Sequence, residues 1–478
     1  MKANFSYSQV TEKTIEDLIS VFGGSGVSVD KEKVAAYSKD EVAVHLWDKN
    51  YEAEVVCFAE NAEQISALMK YANRHRIPVT PRGAGTGLSG GAVPAYRGIE
   101  LSLERMNRIL ELDAANLTMT VEPGVVTAEI NKTAAAANLM YAGDPCSGDA
   151  SFIGGNVAEN AGGNKVVKYG ATGNHVLGME VVLPDGSISW FGGKRRKDVT
   201  GYDFVHLMTG SEGTLGIITK IILRLLPSYS FAADLLVPFN SVKRAIDAVP
   251  AVITKGKTIP CSIEFMDKCS MMLTEQYLRT KFPFSHEAEA HLILQFEGND
   301  RESLADEIEK IGDICMEEGA LEVFVADNRT TRDKLWKGRK SAAEAVWSYA
   351  PTQIANEDIV IPASEIAVFM EGLEKISRAD SIKYAAYGHV GDGNMHVTLY
   401  VEEENKNWRE IIEKARRDMY DMVKRLGGTL TGEHGVGLKR LMYAPQFLDA
   451  AQVKLIRRVK LAFDPNNILN PGKIVPWT

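Results

Sequence analysis

Pro81-Arg82-Gly83-Ala84-Gly85-Thr86-Gly87-Leu88-Ser89-Gly90-Gly91 is the stretch whose reading decides the fold. Gly85 to Gly90 satisfies G-x-G-x-x-G, but the dinucleotide fingerprint needs a helix to open directly afterwards, with its N-terminus under the pyrophosphate. Here Pro94 and the alternating Ile99-Glu100-Leu101-Ser102-Leu103 follow, so a strand comes next and a nicotinamide Rossmann fold is rejected. A run this dense in glycine still offers consecutive backbone N–H groups with no Cβ in the way, which is what an anion nest requires. A flexible surface loop is the plainer alternative. Leu88, Ala92 and Val93 are apolar and strands flank the run, which favours phosphate binding.

Working outward, residues 53–59 read as an apolar strand, Asn61-Ala62-Glu63-Gln64 opens a helix running to about His75, and Ile77-Pro78-Val79-Thr80 is extended again. Together they make a β-α-β unit that delivers the glycine run. Before it, residues 12–23 and 30–38 look like short amphipathic helices, the second capped by Asp30. After it come a strand at 118–122, a helix at 127–138 and a second glycine-rich region. That region reads Gly143-Asp144-Pro145-Cys146-Ser147, then Ser151-Phe152-Ile153-Gly154-Gly155-Asn156-Val157-Ala158-Glu159-Asn160-Ala161-Gly162-Gly163. A third runs from Asp198-Val199-Thr200-Gly201-Tyr202-Asp203 to Gly210-Ser211-Glu212-Gly213-Thr214-Leu215-Gly216-Ile217-Ile218-Thr219. Past Pro227 the pattern becomes strands (235–239, 262–265, 291–296) separated by amphipathic helices (241–253, 301–319, 364–378). This predicts an antiparallel sheet covered by helices on one face.

The chain has 478 residues, too many for one ordinary core, so two or more subdomains are expected. A formal charge of −9 argues against non-specific binding to nucleic acid or anionic lipid. No apolar run reaches spanning length and no secretory signal is evident, so a soluble cytoplasmic protein is expected. Cys57, Cys146, Cys261, Cys269 and Cys315 form no CxxC and no cluster-ligand ladder. A redox protein of this kind would pass single electrons to a partner.

A second constellation carries the chemistry. Tyr387-Gly388-His389-Val390-Gly391-Asp392-Gly393-Asn394-Met395-His396 reads as a hairpin, and Gly432-Glu433-His434-Gly435 follows later. On one uninterrupted strand His389 and His396 would face opposite sides, because their separation is odd; a turn between them removes that objection. His389, His396 and Glu433 have the chemistry of divalent-metal ligands for zinc, manganese or ferrous iron, and two histidines plus one carboxylate leave positions open for substrate. His434 is of a type to serve as base. A lone histidine is more often a satisfied core or surface residue, and Gly432 to Gly435 would also suit an ordinary turn.

The order and wording of the glycine-rich segments resemble the FAD-binding domain of the vanillyl-alcohol-oxidase-like flavoproteins. More narrowly, they resemble the branch containing D-lactate dehydrogenase, the glycolate oxidase catalytic subunit and D-2-hydroxyglutarate dehydrogenase. The resemblance runs from about Tyr37 to the C-terminus. It implies an α+β protein with a two-part FAD-binding domain of the PCMH type over residues 1–226, including the N-terminal segment. An antiparallel-sheet cap domain for substrate would occupy 227–430, and a C-terminal segment, 431–478, would return to the flavin domain.

By residue-wise matching, Arg82 to Gly91 would wrap the FAD pyrophosphate. Asp144, Ser151, Gly154, Gly155, Asn156, Gly162, Glu212, Gly216 and Ile218 would contact the flavin, ribityl or adenine parts, and Asn470 would approach the ring. Some relatives attach FAD through a His or Cys in or near these loops; the first loop here has neither, so FAD is expected to be non-covalent. Cys146 stands where Pro or Ala is expected and reads as a small packing residue, with a thiol beside the flavin as the alternative.

Asp333-Lys334-Leu335-Trp336-Lys337-Gly338-Arg339 resembles the family's Leu-Trp-x-x-Arg element, whose arginine pairs with the substrate carboxylate. Without the resemblance, Arg339 would read as a solvated salt-bridge partner. Asn356-Glu357-Asp358 would lie near the same pocket, with its role open. His389, His396 and Glu433 would hold a divalent metal (Fe2+, Zn2+ or Mn2+), His434 would accept the hydroxyl proton, and Asn394 would hold substrate or orient a ligand.

The implied activity is FAD- and metal-dependent oxidation of a D-2-hydroxy acid, D-lactate to pyruvate first, with hydride passing to flavin N5. An electron-transfer flavoprotein or an iron–sulfur subunit would take the electrons, and the chain would form a homodimer or hetero-oligomer. Glycolate or D-2-hydroxyglutarate are the alternative substrates. A non-redox alkylglycerone-phosphate-synthase-like enzyme and a flavin-binding scaffold are the alternatives of another class.

Overall fold

A computed structural model of the chain describes residues 5–43, 47, 49–350, 352–402 and 405–477. It divides into two compact units: Met1–Gly162 with Gly170–Ser228 and Glu433–Thr478, and Gly163–Tyr169 with Tyr229–Gly432. The short excursion, which the sequence reading did not foresee, is held within the second unit by Glu297, to which Tyr169 donates a hydrogen bond and Lys165 an ion pair at 3.4 Å.

In the first unit, Asn61 caps helix Ala62–His75 by accepting the Gln64 amide, and the helix buries Ile65, Leu68, Met69 and Ala72 at a spacing of three to four. Each large apolar side chain in that stripe contributes about 1.5–3 kcal/mol by leaving water. The strands flanking the helix, Val55–Phe58 and Val79–Arg82, run parallel but are not neighbours; Ile99–Ser102 is inserted between them. The glycine run therefore leaves the carboxyl end of an edge strand, and the chain returns through a central one. Val79 forms a further parallel bridge with Leu469, so residues of the C-terminal segment extend this sheet. A second sheet is antiparallel, in the order Ile109–Asp113, Thr118–Val121, Ile217–Arg224, Val176–Val182, Ile188–Gly192.

In the second unit the described strands form one antiparallel sheet, in the order Phe324–Ala326, Phe231–Phe239, Ala290–Gly298, Ser262–Asp267, Lys383–His389, Asn394–Tyr400, Ile354–Val360. Helices Val242–Gly256, Arg301–Glu317, Ile366–Asp380 and Trp408–Arg425 form the expected layer. A smaller group, Lys268–Leu278, Arg329–Lys340 and Ala342–Tyr349, lies against the opposite face, where Leu236, Met266, Ile293 and Tyr387 meet Met271, Leu335 and Ala342. The expectation of helices on one face therefore captures one layer of two. Successive strand residues point to opposite faces, and Ser262–Asp267 and Asn394–Tyr400 are buried at every position, which requires cover on both. Among the described residues no helix is long and apolar enough to cross a membrane.

Candidate active site

In the second unit, strands Lys383–His389 and Asn394–Tyr400 pair with His389 opposite Asn394 and Tyr387 opposite His396. His389 and His396 are therefore diagonal neighbours on one face of a hairpin. The turn depends on Gly393, whose φ is +87° and where a Cβ would stand 2.1 Å from the Ile361 carbonyl oxygen. The two Nε2 atoms lie 3.4 Å apart.

Each ring is backed by a buried carboxylate. His389 Nδ1 lies 2.8 Å from Glu264 Oε1, and His396 Nδ1 lies 3.6 Å from Asp358 Oδ1, an ion-pair rather than a hydrogen-bond distance. A carboxylate at Nδ1 favours the proton there, which directs both Nε2 lone pairs into the same space. Two imidazole lone pairs facing each other repel unless a cation lies between them. Nitrogens bound about 2.1 Å from one ion at a roughly tetrahedral angle stand about 3.4 Å apart. The pair fits a divalent metal.

Glu264 is shared. Its other oxygen, Oε2, lies 2.7 Å from Arg339 Nη2, and both side chains are buried. Burial pushes the Glu264 carboxyl up, but His389 and then Arg339 pull it further the other way and hold it below the usual carboxylate range. Arg339 is thus no solvated surface partner. Its guanidinium has five N–H donors, so pairing with Glu264 does not exhaust it. Asn394 donates from Nδ2 to Asp358 Oδ1 at 2.6 Å and to the Ile359 carbonyl at 2.9 Å, and Asp358 Oδ2 accepts Thr431 Oγ1 at 2.7 Å and the Gly432 amide at 2.9 Å. That network makes Asn394 an orienting group through Asp358.

Glu264 is the residue the sequence reading missed as functional. The available signal was a carboxylate in the otherwise uncharged strand segment Ser262-Ile263-Glu264-Phe265, buried at every position. Asp358, whose role stood open, holds the second imidazole.

Glu433 and His434 belong to the first unit, immediately past the boundary, with His434 Nε2 3.8 Å from Glu433 Oε1. Their segment lies against the glycine-rich loops of that unit: a Cβ on Gly162 would stand 2.5 Å from Glu433 Oε2, and one on Gly435 would stand 2.4 Å from Glu159 Oε2. Burial drives the Glu159 carboxyl well above its ordinary range.

The residues matched to FAD divide by role. Gly83 and Gly155 oppose each other, a Cβ on Gly83 lying 3.7 Å from Gly155 Cα, while a Cβ on Gly155 would meet nothing within 4 Å. Ser89 Oγ is buried with no hydrogen-bond partner among the described residues. Two bare backbone walls and an unsatisfied hydroxyl fit a polar cofactor lying along Arg82 to Gly91. Ser151 and Asn156 bond Thr127, at 3.2 and 2.7 Å. Gly216 abuts Val181, and the Ile218 side chain lies in the core. The Glu212 carboxylate accepts the amides of Val436 and Gly437 at 2.8 and 2.7 Å. Asn470 Nδ2 donates to the Gly91 and Glu212 carbonyls at 3.0 and 2.8 Å. Asp144 is half-buried and Cys146 exposed.

Comparison with known proteins bears on both units. Residues 53–192 match a family described as an FAD binding domain, and residues 230–474 match one described as FAD linked oxidases, C-terminal domain. The chain is 37% identical over 467 residues to glycolate oxidase subunit GlcD of Bacillus subtilis, covering 97% of both proteins. It is 35% identical over 478 residues to a D-lactate dehydrogenase of Anaerostipes hadrus, covering 99% of both. Among solved structures it resembles substrate-bound p-cresol methylhydroxylase, with a TM-score of 0.80 at 17% identity over 98% of both chains. An alkyldihydroxyacetonephosphate synthase gives a TM-score of 0.75 at 18% identity, over 98% of this chain and 87% of that one. Those two share the fold.

Proposed function

The chain belongs to the FAD-linked oxidases, as an oxidoreductase of the D-lactate dehydrogenase and glycolate oxidase type, and from that premise we propose that it oxidises a small D-2-hydroxy acid, D-lactate first, to the 2-oxo acid. The observation that carries this reading is the pair of carboxylate-backed imidazoles, Nε2 atoms 3.4 Å apart, with His389 on the same buried carboxylate as Arg339 and His396 on Asp358. Bound FAD supplies the two-electron acceptor. A divalent ion on His389 and His396 would supply Lewis-acid polarisation of the substrate hydroxyl and carboxylate.

The chain's own groups do the remainder. Arg339 holds the substrate carboxylate through two parallel N–H bonds. Glu264 fixes both Arg339 and the His389 tautomer, so the carboxylate clamp and one ligand cannot move independently. Asp358, held by Asn394, does the same for His396. His434 takes the hydroxyl proton at an imidazole nitrogen, a group that alternates between base and conjugate acid near neutral pH. Electrons leave through an electron-transfer flavoprotein or an iron–sulfur subunit. Glycolate is the second reading, because the GlcD relative is as similar as the D-lactate dehydrogenase.

The test is anaerobic. Purified, metal-replete protein is mixed in turn with D-lactate, L-lactate, glycolate and D-2-hydroxyglutarate, and the flavin band is followed before and after chelation. Bleaching by D-lactate that chelation abolishes is expected. Bleaching by glycolate alone would select the second substrate, and no bleaching by any acid would reject the dehydrogenase reading.

A further inference from the structure

A closed ring of hydrogen bonds in the first unit joins the glycine-rich flavin loop to the segment carrying Glu433 and His434. The Ser89 carbonyl accepts the amides of Leu438 and Lys439, both at 2.9 Å. The two preceding amides, Val436 and Gly437, donate to the two oxygens of the Glu212 carboxylate at 2.8 and 2.7 Å. The Glu212 carbonyl accepts Asn470 Nδ2 at 2.8 Å, and the same nitrogen reaches the Gly91 carbonyl at 3.0 Å, which closes the ring two residues from Ser89.

Two features show that the ring is imposed rather than incidental. Glu212 has φ +51°, a left-handed backbone disfavoured for a residue with a Cβ, and its own amide is pinned to the Ala158 carbonyl at 2.8 Å. Gly437 has φ +54°, and a Cβ there would stand 2.2 Å from the Ser89 carbonyl oxygen, so the approach of the two loops admits only glycine. A carboxylate that takes two consecutive main-chain amides is a strong, directional clamp.

We propose that Glu212 is a positioning residue that latches the Glu433–His434 segment onto the flavin loop, so that ordering of Arg82 to Gly91 around FAD also sets the proton-accepting histidine. For the task of His434 this rests on the dehydrogenase reading; the latch itself does not. FAD binding and ordering of the segment are then one coupled event, and each favours the other to the same extent.

The experiment is hydrogen exchange of residues 433–439, read by mass spectrometry, in the full chain with and without FAD. The latch predicts that FAD slows exchange of the amides of Val436 to Lys439 by about tenfold or more; equal rates in the two states would overturn it. In the FAD-loaded Glu212→Gln protein a side-chain amide replaces one acceptor with a donor. Exchange should quicken at Val436 and Gly437 with the rest of the unit unchanged, and the rate of flavin reduction should fall about a hundredfold while KM moves less than threefold. Wild-type exchange in this variant, or quickening spread over the whole unit, overturns the proposal. Should Glu212→Gln fail to fold, Gly437→Ala breaks the same ring from the other side and is scored by the same exchange pattern. If no hydroxy acid reduces the wild-type flavin, the dehydrogenase reading fails, while the exchange comparison still decides the latch.

Discussion

The two units carry their candidate functional groups by opposite means. In the second unit, function resides in side chains, and buried carboxylates hold them: Glu264 between His389 and Arg339, Asp358 behind His396. In the first unit, the proposed cofactor path rests on the absence of side chains, where Gly83 faces Gly155. A site of the first kind breaks when a charge is removed. One of the second kind breaks when an atom is added.

The largest effect is therefore expected at Glu264. Glu264→Ala leaves Arg339 and His389 buried beside a cavity, and removing one partner of a buried ionic cluster costs about 3–5 kcal/mol. Urea unfolding should show that loss, and atomic-absorption analysis should show metal affinity lowered by roughly 10–100-fold, the usual consequence of deleting a carboxylate behind a ligating histidine. Wild-type stability in this variant would contradict the picture of a side-chain site held by charge.

The same contrast has a pH signature. His291 lies in the second unit with its pKa pushed down to about 4 by burial, which outweighs the opposing bond to the Pro283 carbonyl. The unfolded chain takes the proton near pH 6.5 and the folded one only near 4, so the unfolded state binds more protons between these values. Stability is full above pH 6.5 and falls as pH drops towards 4. His291→Gln should remove roughly 3 kcal/mol of that acid-induced loss. Asp267, pushed up to about 6 by burial, works in the opposite direction over part of the window, but it does so in both proteins and cancels in the difference. Chemical denaturation at pH 7 and pH 4.5 measures the effect, and parallel slopes for the two proteins would refute it.

The smallest change in stability is expected at Gly155. A Cβ there meets nothing within 4 Å and the residue is helical, so Gly155→Ala should stabilise the FAD-free protein by up to about 1 kcal/mol. FAD affinity, read by quenching of flavin fluorescence, should nevertheless fall by about tenfold or more, because the added methyl occupies the cofactor's space. Unchanged affinity would show that this backbone wall does not face FAD.

Much of this was legible along the chain because it is local. The rejection of a nicotinamide fold needed only the residues after Gly91, which do form the strand Ile99–Ser102. The capping residues Asp30 and Asn61 each bond an amide three residues on, as their side chains dictate. The His389–His396 hairpin followed from two strand-like runs around glycines, and its register brings both imidazoles to one face. The backing carboxylates were not legible in the same way. Glu264 lies 125 residues before His389, and its uncharged strand neighbours point to a buried carboxylate without saying which donors it meets.

The sequence by itself determined the cofactor class and the hairpin that carries His389 and His396, because those depend on residue chemistry at short spacing. Tertiary structure alone decided that Glu264 serves two partners, that Asn394 acts through Asp358, that Glu212 turns its carboxylate to Val436 and Gly437, and that residues 163–169 join the second unit. The physical reason is the same in each case. A buried carboxylate must find donors, and which donors reach it is settled by long-range packing of strands and loops rather than by its neighbours in the chain.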